Sequence, residues 1–183
     1  MQPAKTIQTA VTDAVRGDVD ARAWLYQQYA KAMFNICIRM AGNRSDAEDI
    51  LQEAFILAFK NIHQLKEAEG FSGWLKRIVI NECIRHSKKT FYWDDWDEHD
   101  KEIADEQLTE WWSSISLEML HTAIKKLPEG CRQVFVLFAM EDFTHKDIAA
   151  EMGISESTSK SQYQRARQLL QQRITTQAAI WMN

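Results

Sequence analysis

Proline is almost absent from this chain, with 2 in 183 residues beside 6 glycines. Proline breaks a helix interior and glycine weakens it, so long helices are allowed almost everywhere. Cysteine is scarce as well. Cys37, Cys83 and Cys131 are odd in number, far apart and form no CxxC pair, which argues against a disulfide framework or a zinc knuckle. Their apolar neighbours, as in FNICIRM and VINECI, predict buried, inert thiols. No apolar run approaches the roughly 20 residues of a membrane span. The opening MQPAKTIQTAVTDAVRGD lacks the apolar core of a signal peptide. No membrane insertion and a cytoplasmic location are therefore expected. No Gly-rich phosphate loop, nucleophile elbow or HExxH motif appears, so neither catalytic residues nor a cofactor are expected.

What is present is a chain of ordinary globular composition, long enough for one domain or two small ones. Its net charge of −4 argues against a nucleic-acid partner until it is divided by segment. Residues 1–90 hold 13 Lys and Arg against 10 Asp and Glu, and residues 119–183 hold 8 against 6. Between them, residues 91–118 hold one Lys against 10 acids, and this connector carries Trp93, Trp96, Trp111 and Trp112, four of the chain's 7 tryptophans. Two mildly basic blocks flanking an acidic stretch indicate two domains, 1–90 and 117–183, with a linker at 91–116. So many rings in a linker predict that it docks on something.

Helical periodicity dominates both blocks. DARAWLYQQYAKAMFNICIRMAG places Trp24, Leu25, Tyr29, Met33, Ile36 and Met40 at three-and-four spacing, and Gly42 and Asn43 stop it. A second helix is expected from Ser45, acting as N-cap, to about Ile62. HQLKEAEGF reads as a loop, and a third helix runs from about Ser72 to Lys89. In the last block Pro128 separates two helices. Thr144 and Asp147 form a capping-box pattern for a short helix that Gly153 ends. Ser155 caps a final helix to about Ile174. The expected fold is all-α, closing in a helix-turn-helix.

The second helix raises a question. DAEDILQEAFI puts Asp46, Glu48, Asp49 and Glu53 within eight residues with no Lys or Arg among them, and like charges at such spacing cost a few tenths of a kcal/mol each, ~0.2–0.5. On a helical wheel Ala47, Ile50, Leu51, Ala54, Phe55, Leu57, Ala58 and Ile62 cover the buried side. Glu48, Asp49, Gln52 and Glu53 cover the other, with Ile56 in their midst. Acids around one exposed aliphatic residue suit a protein partner with a basic surface. An ordinary solvated face and a hard-cation site through Glu48, Asp49, Gln52 and Glu53 are the alternatives, the latter lacking any histidine or calcium-loop glycine.

Two basic constellations follow. Arg77, Asn81, Arg85 and Lys88 fall on one stripe of the third helix, behind Phe71 and Trp74. Cations, rings and an amide suit single-stranded or partly melted nucleic acid; a solvated face over core aromatics is the plainer reading, and Trp74 is expected in the core. In the last helix Tyr163, Ala166, Leu169, Leu170 and Ile174 make the buried stripe. Ser157, Lys160, Ser161, Gln164, Arg165 and Gln168 point away, as in a recognition helix in a major groove.

Together these stretches resemble the extracytoplasmic-function subfamily of bacterial RNA polymerase sigma factors. DAEDILQEAF is similar to that family's core-binding helix in region two. FSGWLKRIVINECIRHSKK resembles its promoter-melting helix, and LPEGCRQVFVLFAMEDFTHKDIAAEMGISESTSKSQYQRARQLL resembles region four. The resemblance covers most of residues 16–174. It implies that Asp46, Glu48, Asp49, Gln52, Glu53 and Ile56 dock on the core RNA polymerase. It implies that the loop from His63 to Phe71, with Lys66, captures a flipped base, and that Arg77, Asn81, Arg85 and Lys88 contact the minus-ten element of promoter DNA. Ser157, Lys160, Ser161, Gln164 and Arg165 would read the minus-thirty-five element. An anti-sigma factor masking these faces is an implied partner.

Three features depart from the family pattern. Ser159 stands on the buried stripe where an aliphatic residue is usual, with looser packing or a hydroxyl bonded back to its own helix expected. Gln162 replaces a phosphate-contacting base. The Trp-rich connector exceeds the pattern; its charge would thread the polymerase's basic RNA-exit path, or its rings would clamp the two domains. Two other classes remain: a stand-alone helix-turn-helix regulator with a helical sensing domain, and a metalloenzyme using His99, Asp97, Asp100 and Glu102.

Overall fold

The computed structural model describes residues 6–90 and 116–181. The connector, with its tryptophans and the His99 constellation, lies outside them. All regular structure among the described residues is helical, and the chain divides into two compact units, Met1–His86 and Ser87–Asn183.

The first unit opens with a helix that the periodicity reading did not mark. α1 (Ile7–Val15) starts at a capping box in which Thr6 and Thr9 satisfy each other's backbone N–H groups, and it buries Ala10, Val11 and Ala14. α2 (Val19–Ala41) is capped by Asp18, whose carboxylate accepts from the Ala21 N–H at 2.6 Å. It ends at Gly42 in the left-handed region, φ 81°, where a side chain would add strain. α3 (Arg44–Asn61) begins one residue before the expected cap: Asn43, not Ser45, is the N-cap, accepting from the Asp46 N–H at 3.0 Å. The expected loop contains two short 3-10 turns, Ile62–Gln64 and Ala68–Gly70. α4 spans Phe71–Thr90.

α1 and α3 both pack on α2. The core between them holds Leu25, Met40, Ala47 and Ala54, with Phe71, Leu75, Val79 and Ile80 from α4. Alanines facing the partner helix let α2 and α3 approach closely, while the large side chains fill the remaining volume at crystal-like density. Tyr29 meets Phe71 edge-on at 5.2 Å between centroids. Leu57, expected on the buried side, is 37% exposed. The rings of Tyr26 and Phe55 lie 4.7 Å apart on the buried side of α3.

The second unit holds α5 (Leu117–Lys125), α6 (Glu129–Met140), α7 (His145–Met152) and α8 (Glu156–Trp181). α8 continues past Ile174. α6 is buried from Gly130 to Leu137 without interruption, as a helix enclosed on all sides must be. It packs on α7 and α8. Arg132 is buried within it and donates to the Leu127 carbonyl at 3.0 Å, satisfying an acceptor in the turn between α5 and α6. Burial pulls the Arg132 pKa below its usual value, with Glu129 opposing. After α6, Asp142 takes φ 62°, a conformation that Asp tolerates through its short polar side chain. The Thr144–Asp147 capping box starts α7, and Gly153 at φ 72° ends it. The Ser155 hydroxyl accepts from the Thr158 N–H at 2.9 Å and so caps α8.

All three cysteines are buried and free. Cys37 and Cys83 meet across α2 and α4. That hydrogen bond first, and burial second, push the Cys83 thiol well above its ordinary pKa.

Candidate polymerase and nucleic-acid faces

Along α3, Glu48, Asp49, Gln52, Glu53 and Ile56 are all exposed, and Asp46 is half-buried at the first turn. Ile56 leaves 58% of its surface to solvent. It borders a groove of about 460 Å³ lined by Tyr26, Glu48, Leu51, Gln52, Phe55, Ile56 and Phe59. The face is thus an apolar trough bordered by Glu48 and Gln52, with Asp49 and Glu53 exposed elsewhere on the same helix. Tyr26 and Phe59 belong to it although the helical wheel of α3 alone did not include them; Tyr26 comes from α2, and its exposed ring was the available signal.

The acids have local compensation. Asp46 accepts from the Asn43 amide at 2.7 Å, and helix-start carboxylates gain from the dipole. Glu48 pairs with Arg44 at 2.7 Å. Arg85, reaching from α4, binds Glu82 and lies 3.9 Å from Glu53. Asp49 has no ion-pair partner among the described residues. The exposed pairs of Arg44 with Glu48 and of Arg85 with Glu53 are each worth ~0–1 kcal/mol, too little to make the acidic face a product of stability.

The stripe on α4 is only partly as expected. Arg77 and Asn81 are exposed. Lys66 is exposed between the two 3-10 turns. Phe71 is corrected: it is 0% exposed, held between Tyr29 and Trp74, whose rings lie 5.2 and 6.0 Å away. In this arrangement Phe71 packs at the base of the loop and offers no free ring face for stacking. Trp74 is half-buried. Arg85 is not a plain phosphate cation, since it is shared with Glu82 and Glu53. Lys88 falls beyond the division and belongs to the second unit, where its ammonium donates to the Glu151 carbonyl at 3.2 Å.

On α8, Ser157, Lys160, Ser161 and Gln168 are exposed, and Gln164 and Arg165 half-buried. Lys160 pairs with Glu156 at 3.0 Å. The Ser161 hydroxyl donates to the Thr158 carbonyl at 3.0 Å. Ser159 is fully buried, yet its hydroxyl does not turn back on its own helix: it bonds to His145 Nδ1 of α7 at 2.9 Å. Gln162, at a phosphate-contacting position in the pattern, accepts from the Cys131 thiol at 3.0 Å. Among the described residues, no three His, Cys, Asp or Glu side chains are placed to share a metal ion.

Residues 25–90 match the family model "Sigma-70 region 2", and residues 117–170 match "Sigma-70, region 4". The chain is 33% identical over 181 residues to the ECF RNA polymerase sigma factor SigW of Bacillus subtilis (strain 168), covering 92% of this chain and 96% of that protein. It is 30% identical over 169 residues to the ECF RNA polymerase sigma factor SigE of Mycolicibacterium smegmatis, covering 88% of this chain and 65% of that one. Among solved structures, the sigma factor RpoE in complex with the anti-sigma factor NepR from Bartonella quintana shares the fold. Its TM-score is 0.53 at 20% identity, over 84% of this chain and 96% of that one. CnrH in complex with the cytosolic domain of CnrY gives 0.52 at 20%, over 92% and 97%. The chain belongs to the extracytoplasmic-function family of RNA polymerase sigma factors.

Proposed function

We propose that the α3 face is the docking surface for core polymerase, with Asp46, Glu48, Asp49, Gln52 and Glu53 around Ile56. As a sigma factor the chain directs RNA polymerase to promoters and performs no covalent chemistry. The observation that carries the docking reading is the apolar trough beside Ile56, bordered by Glu48, on a helix that also exposes Asp49 and Glu53. Carboxylates guide a basic partner into register, and the trough supplies contact that salt does not screen.

Residues 1–90 then form the polymerase and minus-ten module, 91–116 the linker, and 117–183 the minus-thirty-five module. On α4, Arg77 holds phosphate and Asn81 reads or holds an unpaired base, with Lys66 on the loop beside them. Arg85 and Lys88 contribute only after leaving their present partners. Unstacking bases in the minus-ten element costs a few kcal/mol per step, ~2–4, which polymerase and duplex contacts offset. On α8, Ser157, Lys160, Ser161, Gln164 and Arg165 face the minus-thirty-five duplex.

The partners are core polymerase and promoter DNA. The complex of RpoE with the anti-sigma factor NepR supports an anti-sigma protein as regulator. No described helix is long and apolar enough to cross a membrane, and work on polymerase and DNA belongs to the cytoplasm. A stand-alone regulator would leave the α3 face without a role.

The test is retention of random duplex DNA by three samples: the chain alone, sigma-free bacterial core polymerase alone, and the two combined. The reading expects sequence-selective retention in the combined sample only. Selective retention by the chain alone would support a stand-alone regulator instead.

A further inference from the structure

We propose that His145 and Ser159 are a positioning pair for promoter reading: a polar latch between the first turns of α7 and α8 that sets how α8 presents its side chains to the minus-thirty-five duplex. The proposal rests on the reading of α8 as the recognition helix.

Ser159 is fully enclosed on the stripe that also carries Tyr163, Ala166 and Leu170. A buried hydroxyl without a partner costs about 1–3 kcal/mol, so its orientation is dictated by the acceptor or donor it meets. That group is His145 Nδ1 at 2.9 Å. The imidazole is itself fixed from other sides. It stacks on Phe138 of α6 with centroids 4.2 Å apart and planes 12° off parallel. It also meets the Tyr163 ring of α8 at 5.8 Å. An apolar pair at these positions would permit sliding among similar contacts, whereas a hydrogen bond tolerates only a few tenths of an ångström and a narrow range of angles.

The latch lies one and two residues from Lys160 and Ser161. A rotation of α8 about its axis that broke the latch would carry those side chains with it. Base contacts require the same short distances, so a shift of ~1 Å at Ser159 moves readers out of reach. The charged groups that face His145 are Lys160 and Glu156 of α8. Burial chiefly, and then Lys160, hold its pKa below the usual 6.5, with Glu156 opposing. That shift favours the neutral ring, which can serve as either donor or acceptor to the hydroxyl.

The test uses holoenzyme formed from the full chain and sigma-free bacterial core polymerase. The probe is a pool of promoter-length duplexes randomised through the minus-thirty-five element, with bound sequences counted. The readout is the ratio of the wild type's best element to a scrambled one. Ser159→Val keeps an apolar-compatible shape and removes the hydroxyl; His145→Ala removes the ring; His145→Asn keeps a hydrogen-bonding atom near the Nδ1 position. Ser159→Val and His145→Ala should each lower the ratio about tenfold, the size of one lost base contact. His145→Asn should lower it about threefold or less, and the double variant His145→Ala/Ser159→Val no further than either single one. Core binding and the melting temperature of Ser159→Val should stay near wild type. An unchanged ratio in Ser159→Val, or additive losses in the double variant, overturns the latch. A wild type with no preference in this element overturns the recognition-helix reading itself.

Discussion

Replacing Ile56 with alanine removes the apolar centre of the α3 face and leaves every carboxylate in place. The side chain is 58% exposed. Full burial of an isoleucine is worth about 1.5–3 kcal/mol, so covering the exposed share and then truncating it changes docking by about 1–1.5 kcal/mol. That is roughly a five- to tenfold rise in Kd. Folding should move the other way if at all, since alanine is the better helix former by a few tenths of a kcal/mol, ~0.4. Titration of fluorescently labelled protein into sigma-free core polymerase at several salt concentrations measures the effect. The loss should be nearly constant with salt, because apolar contact is not screened, whereas the absolute affinity falls as salt rises. An unchanged Kd, or a deficit that disappears at high salt, would refute the docking geometry.

Other outcomes follow from the same structure. Arg77→Ala should lower the salt slope of promoter binding by about one unit, as loss of a single phosphate contact does, without altering affinity for core polymerase. Arg132→Met leaves the Leu127 carbonyl without its donor and should destabilise the second unit by about 1–3 kcal/mol, read by chemical denaturation. The buried thiols Cys37, Cys83 and Cys131 should react with iodoacetamide only at the rate of unfolding. Fast labelling of native protein would contradict that burial.

Much of this was legible in the chain because helices are encoded locally. The stop at Gly42, the Thr144–Asp147 box and the Ser155 cap are each read within four residues. α1 was missed because its cap is a Thr–Thr pair and its buried face is only Ala10, Val11 and Ala14, too small to register as a stripe. What the sequence could not show of the site has a shared origin in tertiary contact. A wheel put Phe71 near the nucleic-acid stripe, but Tyr29 from α2 encloses it. The stripe put Arg85 among the nucleic-acid cations but could not show that Glu53 of α3 and Glu82 share it. The family pattern flagged Ser159 as unusual yet could not supply His145, fourteen residues away. The acidic face itself was visible; its trough was not, because Tyr26 and Phe59 join it only when α2 and α3 pack.

The central claim is that the acids of α3 face a basic partner. Asp49→Arg/Glu53→Arg reverses two exposed charges with little effect expected on folding. Each reversal replaces an attraction of ~1 kcal/mol with a similar repulsion, so the pair should weaken binding to sigma-free core polymerase by about 4 kcal/mol, nearly a thousandfold. Tight binding by the wild type and none by the variant at the same concentration is the predicted result. Equal binding by the two proteins, or none by the wild type, would contradict it.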